Sequence, residues 1–200
     1  MIPFFKDFGL YNIDIDYIKY LNSIEPEVRY DESRNYTKKP FLGILFPMEE
    51  KKYFVPLTSA KPKHKTWDLS SKEHYLITGI VHKKDIRPTA VIRSYDEKTG
   101  IGTEILAVLD LKKMFPVIEG KYHKIIFTDE VDINYRSLLI KEYLFCVAIK
   151  KDILAKAKAL YDGQMNSGVI YKFCCNFKLL EEASNQYQSV YKIIQQKTSK

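Results

Sequence analysis

The sequence predicts an α+β fold, a small twisted antiparallel sheet or barrel followed by helices. Three observations predict it. Short apolar runs, broken by Gly-containing or charged connections, fill residues 41–118 as strands would. From Asp132 to about Tyr161 the chain lacks proline, and apolar positions crowd together at helical spacing. No repeat, low-complexity tract or long linker divides the 200 residues, so we expect one domain, strand-rich over 1–120 and helix-rich over 130–200.

The elements follow in order. LYNI (10–13) reads as a strand, and Asp14 is placed to cap a helix reaching about residue 22, with Ile15, Ile18 and Leu21 on one face. Residues 23–40 are polar and turn-like and end in TKKP. FLGILFP (41–47) and YFVPLT (53–58), joined by MEEKK, read as a hairpin. HYLITGIV (74–81), TAVIRSY (89–95) and EILAVLDL (104–111) are further strands, with Gly100 and Gly102 marking a turn. MFPVI (114–118) reads as the last strand. Tyr135, Leu138, Leu139, Tyr143, Phe145, Cys146 and Ile149 are too densely apolar for a surface helix. An Ala/Lys-rich helix over 151–161 follows, broken by Gly163 and Gly168. The last helix starts near Asn176, with Phe177, Leu180, Ala183, Tyr187, Val190 and Ile194 along one face.

Composition narrows the function. A net charge of +7 and a pI near 9.1 favour an anionic partner, and 15 Tyr beside 11 Phe suit either base stacking or a tyrosine-rich core. The cysteines, Cys146, Cys174 and Cys175, form no zinc spacing or disulfide framework and read as buried apolar groups in a reducing cytosol. Lys6, Asp7, Asp14 and Asp16 break any apolar leader, and no run of 18 apolar residues occurs, so no membrane partner and a cytoplasmic location are expected.

The common enzyme signatures are missing: no phosphate-binding glycine loop, no H-E-x-x-H and no G-x-S-x-G. His64, His74, His82 and His123 are scattered, with His74 and His82 in strand-like sequence as surface residues. No acidic cluster resembles a two-metal nuclease, so phosphodiester cleavage here would need no protein-held metal and no cofactor. The chemistry concentrates in YFVPLTSAKPKHKTW (53–67). Pro56 suggests an edge strand or a strand near its end, which puts Thr58 and Ser59 at the exit with Lys61 just beyond. Lys38 and Lys39 precede the neighbouring strand, so hairpin pairing would set Lys39 beside Thr58, Ser59 and Lys61. Two hydroxyls and two ammoniums would then surround a place for a phosphate. RNA supplies its own 2′-OH nucleophile, and neighbouring lysines lower one another's pKa, so one of them would serve as a base. A basic loop that is merely solvated is the plain alternative.

These residues resemble the ToxN/AbiQ family, endoribonuclease toxins of type III toxin–antitoxin systems. The resemblance runs through nearly the whole chain: LYNIDIDYIKYL, KPFLGILF, YFVPLTSAK, LAVLDLKKMFPV, YRSLLIKEYLF and CCNFKLLEEA occur in the family's order, with Leu-Thr-Ser-x-Lys the most telling string. It implies a compact, highly twisted antiparallel barrel similar to the Kid/MazF toxins, with added helices. It also implies metal-independent, sequence-specific RNA cleavage that leaves a 2′,3′-cyclic phosphate and a 5′-OH. The implied partners are a repeated pseudoknot RNA antitoxin, held in a closed toxin–RNA assembly, and cellular or phage RNA, with abortive infection as the outcome.

By that resemblance Thr58, Ser59 and Lys61 form the catalytic segment and Lys39 is the upstream catalytic lysine. One family pattern places a tyrosine four residues before this lysine; here Asn35 stands there, and Tyr36, three before, is the proton-relay candidate. Lys38, Lys63, His64 and Lys65 are expected to contact RNA, with Tyr135 as a further aromatic of the site and Trp67 as either a stacking face or core. The stretch 72–103 looks longer than the family's and reads as an extra hairpin, whose Lys83, Lys84, Arg87 and Arg93 touch RNA or face solvent. Two other readings remain open: a non-catalytic RNA-binding module, which would bind without turnover, and a toxin of a protein target such as a topoisomerase, which would damage DNA and leave RNA whole.

Overall fold

The structure, a computed structural model, describes residues 8–33, 36–45 and 52–198. Asn35 and most of the MEEKK connector lie outside these residues, as does the side chain of Ile194. In chain order the elements are β1 (Gly9–Ile13), α1 (Ile15–Ile24), β2 (Phe41–Leu45), β3 (Lys52–Ser59), β4 (His74–His82), β5 (Val91–Asp96), β6 (Ile101–Asp110), β7 (Phe115–Pro116), β8 (Tyr122–Lys124), α2 (Ile133–Ala148), α3 (Lys150–Ser167) and α4 (Phe177–Thr198). The fold is α+β. The strands pair antiparallel in the order β4-β6-β3-β2-β1-β8, with β5 also on β6 and β7 also on β3, and this path does not close on itself among the described residues.

The β2–β3 hairpin forms in the register Phe41↔Pro56 to Leu45↔Lys52. Of the two placements that Pro56 suggested, the sheet edge is excluded because β3 is a central strand, while its place near the end of the strand, which closes at Ser59, holds. The Leu57 amide points at β2, where it donates to the Pro40 carbonyl at 3.1 Å, so position 56 faces the other side. There β7 pairs up to Phe54 and β6 takes over at Leu57. Proline, which has no N–H to offer a ladder, occupies the gap between two partner strands.

Four further expectations change. β8, three residues long, follows 114–118 and pairs with β1, so MFPVI is not the last strand. Asp14 stands at the N-cap of α1, but its carboxylate makes no cap bond; it binds Lys121 at 3.1 Å and approaches His123 at 3.3 Å, tying β8 to the start of the helix. Gly102 lies within β6, while Gly100, at φ +67°, closes the tight turn by donating to the Asp96 carbonyl at 2.9 Å. α3 runs through Gly163 and stops at Gly168, whose left-handed conformation ends it.

One large apolar cluster draws on the strands and on all four helices, with Tyr17, Tyr53, Phe41, Phe54 and Phe177 among its largest fully buried side chains. Its tyrosines satisfy their hydroxyls: Tyr17 donates to the Pro116 carbonyl at 2.9 Å, and Tyr53 and Tyr161 both donate to the Glu181 carboxylate, at 2.7 and 2.9 Å. On the face of α4, Phe177, Leu180 and Ala183 are buried and Tyr187 packs beside them, but Val190 is 58% exposed, so the buried stripe ends earlier than its sequence spacing suggests. Cys146, Cys174 and Cys175 are free and buried. A second, smaller cluster, Leu76, Val91, Ile105 and Val108, packs with Ala60 and Trp67 on β4–β6. No helix among the described residues is long and apolar enough to cross a membrane.

Candidate functional site

The hairpin register places the site. Pro40 and Leu57 are bonded one step beyond the Phe41↔Pro56 pair, which sets Lys39 alongside Thr58. The Lys39 carbonyl accepts from the Asn12 side-chain amide at 3.2 Å, and its amide donates to the Tyr36 carbonyl at 3.1 Å, closing a 3-10 turn over Tyr36–Lys38. The Lys39 ammonium lies 4.6 Å from the centre of the Tyr36 ring and 5.5 Å from that of Phe41.

On the other strand, Thr58 and Ser59 pair with Val108 and Ala107 of β6. The chain then enters a 3-10 helix, Pro62–Thr66, which the sequence presented as a plain basic loop. His64 shapes it. Its ring is buried, its Nδ1 accepts the Lys61 amide at 3.0 Å, and its own amide donates to the Lys61 carbonyl at 2.9 Å. Burial, with Lys63, Lys61 and His74 nearby, lowers the pKa of this imidazole below its ordinary value and keeps it a neutral acceptor. His64, expected among the RNA-contacting side chains, is therefore a buried ring that also lines a cavity beside Thr58 and Lys61. Lys61, Lys63 and Lys65 remain exposed, and Lys61 has no ion-pair partner among the described residues.

Trp67 is half-buried. Its ring lies 4.7 Å from that of His64 and 4.9 Å from that of His74, and its carbonyl accepts Arg93 at 2.6 Å. It packs as the rim of the smaller core, with Lys63 5.7 Å from its ring. In the 72–103 stretch β5 extends the sheet beside β6, Arg93 is spent on Trp67, Arg87 pairs with Glu104 at 2.8 Å, and Lys83 pairs with Glu97 at 3.5 Å. His82 is exposed, while the half-buried His74 bonds Ser71 at 2.9 Å.

Two adjoining cavities open here. One, about 150 Å³, extends toward Arg29, Asp110 and Trp67; the other, about 410 Å³, lies between the exits of the hairpin and helix α2. Tyr36, Lys39, Thr58 and Lys61 line both, and Ser59 lines the larger. Tyr36 is buried, and its hydroxyl donates to the Arg29 carbonyl at 3.0 Å, so the ring, not a free hydroxyl, faces Lys39. From α2, Tyr135 closes the larger cavity by donating to the Lys38 carbonyl, and burial raises its pKa to about 12. Lys38 itself reaches Glu130 at 3.8 Å and lies 5.8 Å from the Tyr135 ring.

Several charged groups escaped the sequence reading. Asp110 lines the smaller cavity, and burial raises its pKa. Lys113, buried beside it, pairs with Glu27 and donates to the Phe173 carbonyl at 2.6 Å. Glu142, on α2, lines the larger cavity, and the only signal for it in the sequence was one acid inside the apolar run SLLIKEYLFC. Among the described residues no three His, Cys, Asp or Glu side chains gather as a metal site.

The chain is 28% identical over 177 residues to endoribonuclease ToxN of Pectobacterium atrosepticum, covering 86% of this chain and 89% of that protein. It is 24% identical to endoribonuclease AbiQ of Lactococcus lactis subsp. lactis, covering 88% and 87%. A solved structure from a bacterial antiviral system regulated by a processed non-coding RNA superposes with a TM-score of 0.65 at 26% identity, covering 88% of this chain and 97% of that one. The solved structure of AbiQ, at 21% identity, shares the fold with a TM-score of 0.65 over 92% of this chain and 99% of its own. The family model for toxin ToxN of type III toxin–antitoxin systems matches residues 9–185, and the chain belongs to that family.

Proposed function

We propose that this chain is an endoribonuclease toxin that cuts RNA by attack of the 2′-OH on the adjacent phosphate, leaving a 2′,3′-cyclic phosphate and a 5′-OH, without a protein-held metal. The observation that carries the reading is the shared lining of the larger cavity: Lys39, Thr58, Ser59 and Lys61 come together there from two strand ends. The relatives' names, endoribonuclease ToxN and endoribonuclease AbiQ, point to the same activity.

In this mechanism Lys39 and Lys61 hold the scissile phosphate and the charge that grows on it, the kind of preorganised stabilisation that dominates such reactions. Thr58 and Ser59 donate to the phosphate oxygens or align the 2′-OH. Tyr36 serves as a relay only by releasing the Arg29 carbonyl, and otherwise positions Lys39 through its ring. Lys38, Lys63 and Lys65 contact the RNA backbone, His64 holds the turn that presents Lys61, and Trp67 and Tyr135 offer aromatic surface at the rim. The partner is an antitoxin RNA pseudoknot in a closed toxin–RNA assembly, and the substrates are cellular or phage RNA in the cytoplasm, with abortive infection as the outcome. The whole chain acts as one domain. A Kid/MazF-like barrel is part of the same reading, supported by β3 and β6 each pairing with three strands.

The test uses protein freed of co-purified RNA and incubated with mixed RNA in excess EDTA, with the termini mapped. Discrete cuts ending in 2′,3′-cyclic phosphate and lost in Lys61→Ala support the reading. RNA bound tightly but left whole by refolded protein replaces it with a binding module.

A further inference from the structure

Glu142 has no assigned task. It sits in the middle of α2, only 4% exposed, yet it lines the 410 Å³ cavity on the wall facing Lys39, Thr58, Ser59 and Lys61. Among the described residues no cation pairs with it and no hydrogen bond holds it. A buried, unpaired carboxylate is costly, so such a group persists where it works as an acid or awaits a partner. We propose that Glu142 is the general acid of the cleavage step, giving its carboxyl proton to the 5′-oxygen as that oxygen leaves. The inference rests on the ribonuclease reading and assigns one role inside it.

The step balances. The 2′-oxygen bonds to phosphorus while the bond from phosphorus to the 5′-oxygen breaks. The 2′-OH proton passes to water in the open cavity, the Glu142 proton passes to the 5′-oxygen, and the carboxylate is reprotonated from water. Nothing is oxidised or reduced.

The surroundings keep the proton in place. Burial raises the carboxyl's pKa to about 8, so it is mostly protonated at neutral pH. On its own helix it faces Tyr135 and Cys146, both with pKa values raised by burial and therefore uncharged. Asp132 lies at the helix start with Glu130 just before it, Lys38 and Lys39 come from the chain before β2, and Lys61 from beyond β3; β6 presents only Ala107. A phosphate arriving on the lysines adds negative charge to this cavity, which further disfavours ionisation of Glu142. The lysines hold the phosphate from one wall, and the acid approaches the leaving group from the other.

The experiment compares two cleavable RNAs in single-turnover assays, one with the natural 5′-oxygen and one with a 5′-bridging sulfur, whose thiolate leaves without a proton. Glu142→Gln is expected to slow the oxygen substrate by about 10²–10⁴-fold and to recover most of that loss on the sulfur substrate. An equal loss on both, or no loss, overturns the role while leaving the ribonuclease reading intact. Wild-type protein that cuts neither RNA overturns both. Should Glu142→Gln not fold, wild-type pH profiles decide: the oxygen substrate is expected to lose rate as pH rises past about 8, and the sulfur substrate is not. Identical profiles overturn the assignment.

Discussion

The Leu57 amide donates to the Pro40 carbonyl at 3.1 Å, one step past the last regular pair of the β2–β3 hairpin. This bond carries the hairpin register out to Lys39 and Thr58. Two cationic side chains and two hydroxyls then meet at a strand exit without a long loop to order, which limits the entropy lost on holding a phosphate.

Lys61→Ala is expected to reduce cleavage by about 10²–10³-fold while RNA affinity falls much less. Lys61 is exposed, so stability should stay within about 0.5 kcal/mol of wild type. Single-turnover cleavage, filter binding and urea unfolding on the same preparation separate the three. Unchanged cleavage would sink the proposed site.

Lys65 is exposed on the 3-10 helix beyond Lys61 and lines neither cavity. Lys65→Ala should therefore weaken binding by removing one phosphate contact and leave the rate of bound RNA unchanged. For a single strand the slope of log affinity against log salt is expected to flatten by about 0.7 or less. A drop in the rate of bound RNA would place Lys65 nearer the chemistry.

Tyr53 lies near the start of the strand that ends at Ser59, but its hydroxyl is buried against Glu181 of α4, 2.7 Å away. Tyr53→Phe removes a donor to that carboxylate, to which Tyr161 also donates, and should cost about 1–3 kcal/mol. The urea midpoint is expected to fall while single-turnover cleavage under native conditions holds, because the site lies at the far end of β3. A loss of cleavage without a loss of stability would mean that α4 acts on the site directly.

The strand-rich half and the helices were legible because local periodicity follows from side-chain geometry. The gathering of Lys39, Thr58, Ser59 and Lys61 was legible because one hairpin brings them together. What was hidden depended on partners distant in sequence. β8 is three residues, YHK, and is a strand only because β1 lies beside it. Pro56 is compatible with a central strand only because β7 ends and β6 begins around it. His64 looked like one cation of a basic loop, and its buried acceptor role required the fold of that loop. Glu142 became conspicuous only once α2 had docked against the sheet.

Glu142 also links folding to pH. Its pKa in the folded chain, about 8, lies above its ordinary value of 4.5. Between those values the native state binds more protons than the unfolded state, so this group makes stability fall as pH rises. Below that window both states are protonated and the contribution vanishes; above it the full cost of a buried carboxylate is felt. Glu142→Gln removes the titration and keeps the shape. The variant should match wild type near about pH 4 and become progressively more stable than wild type toward about pH 8, read as a widening gap between urea midpoints. A constant gap across that range would mean that Glu142 is ionised and stabilised in the folded protein, and it would remove the physical basis for its holding a proton in the cavity.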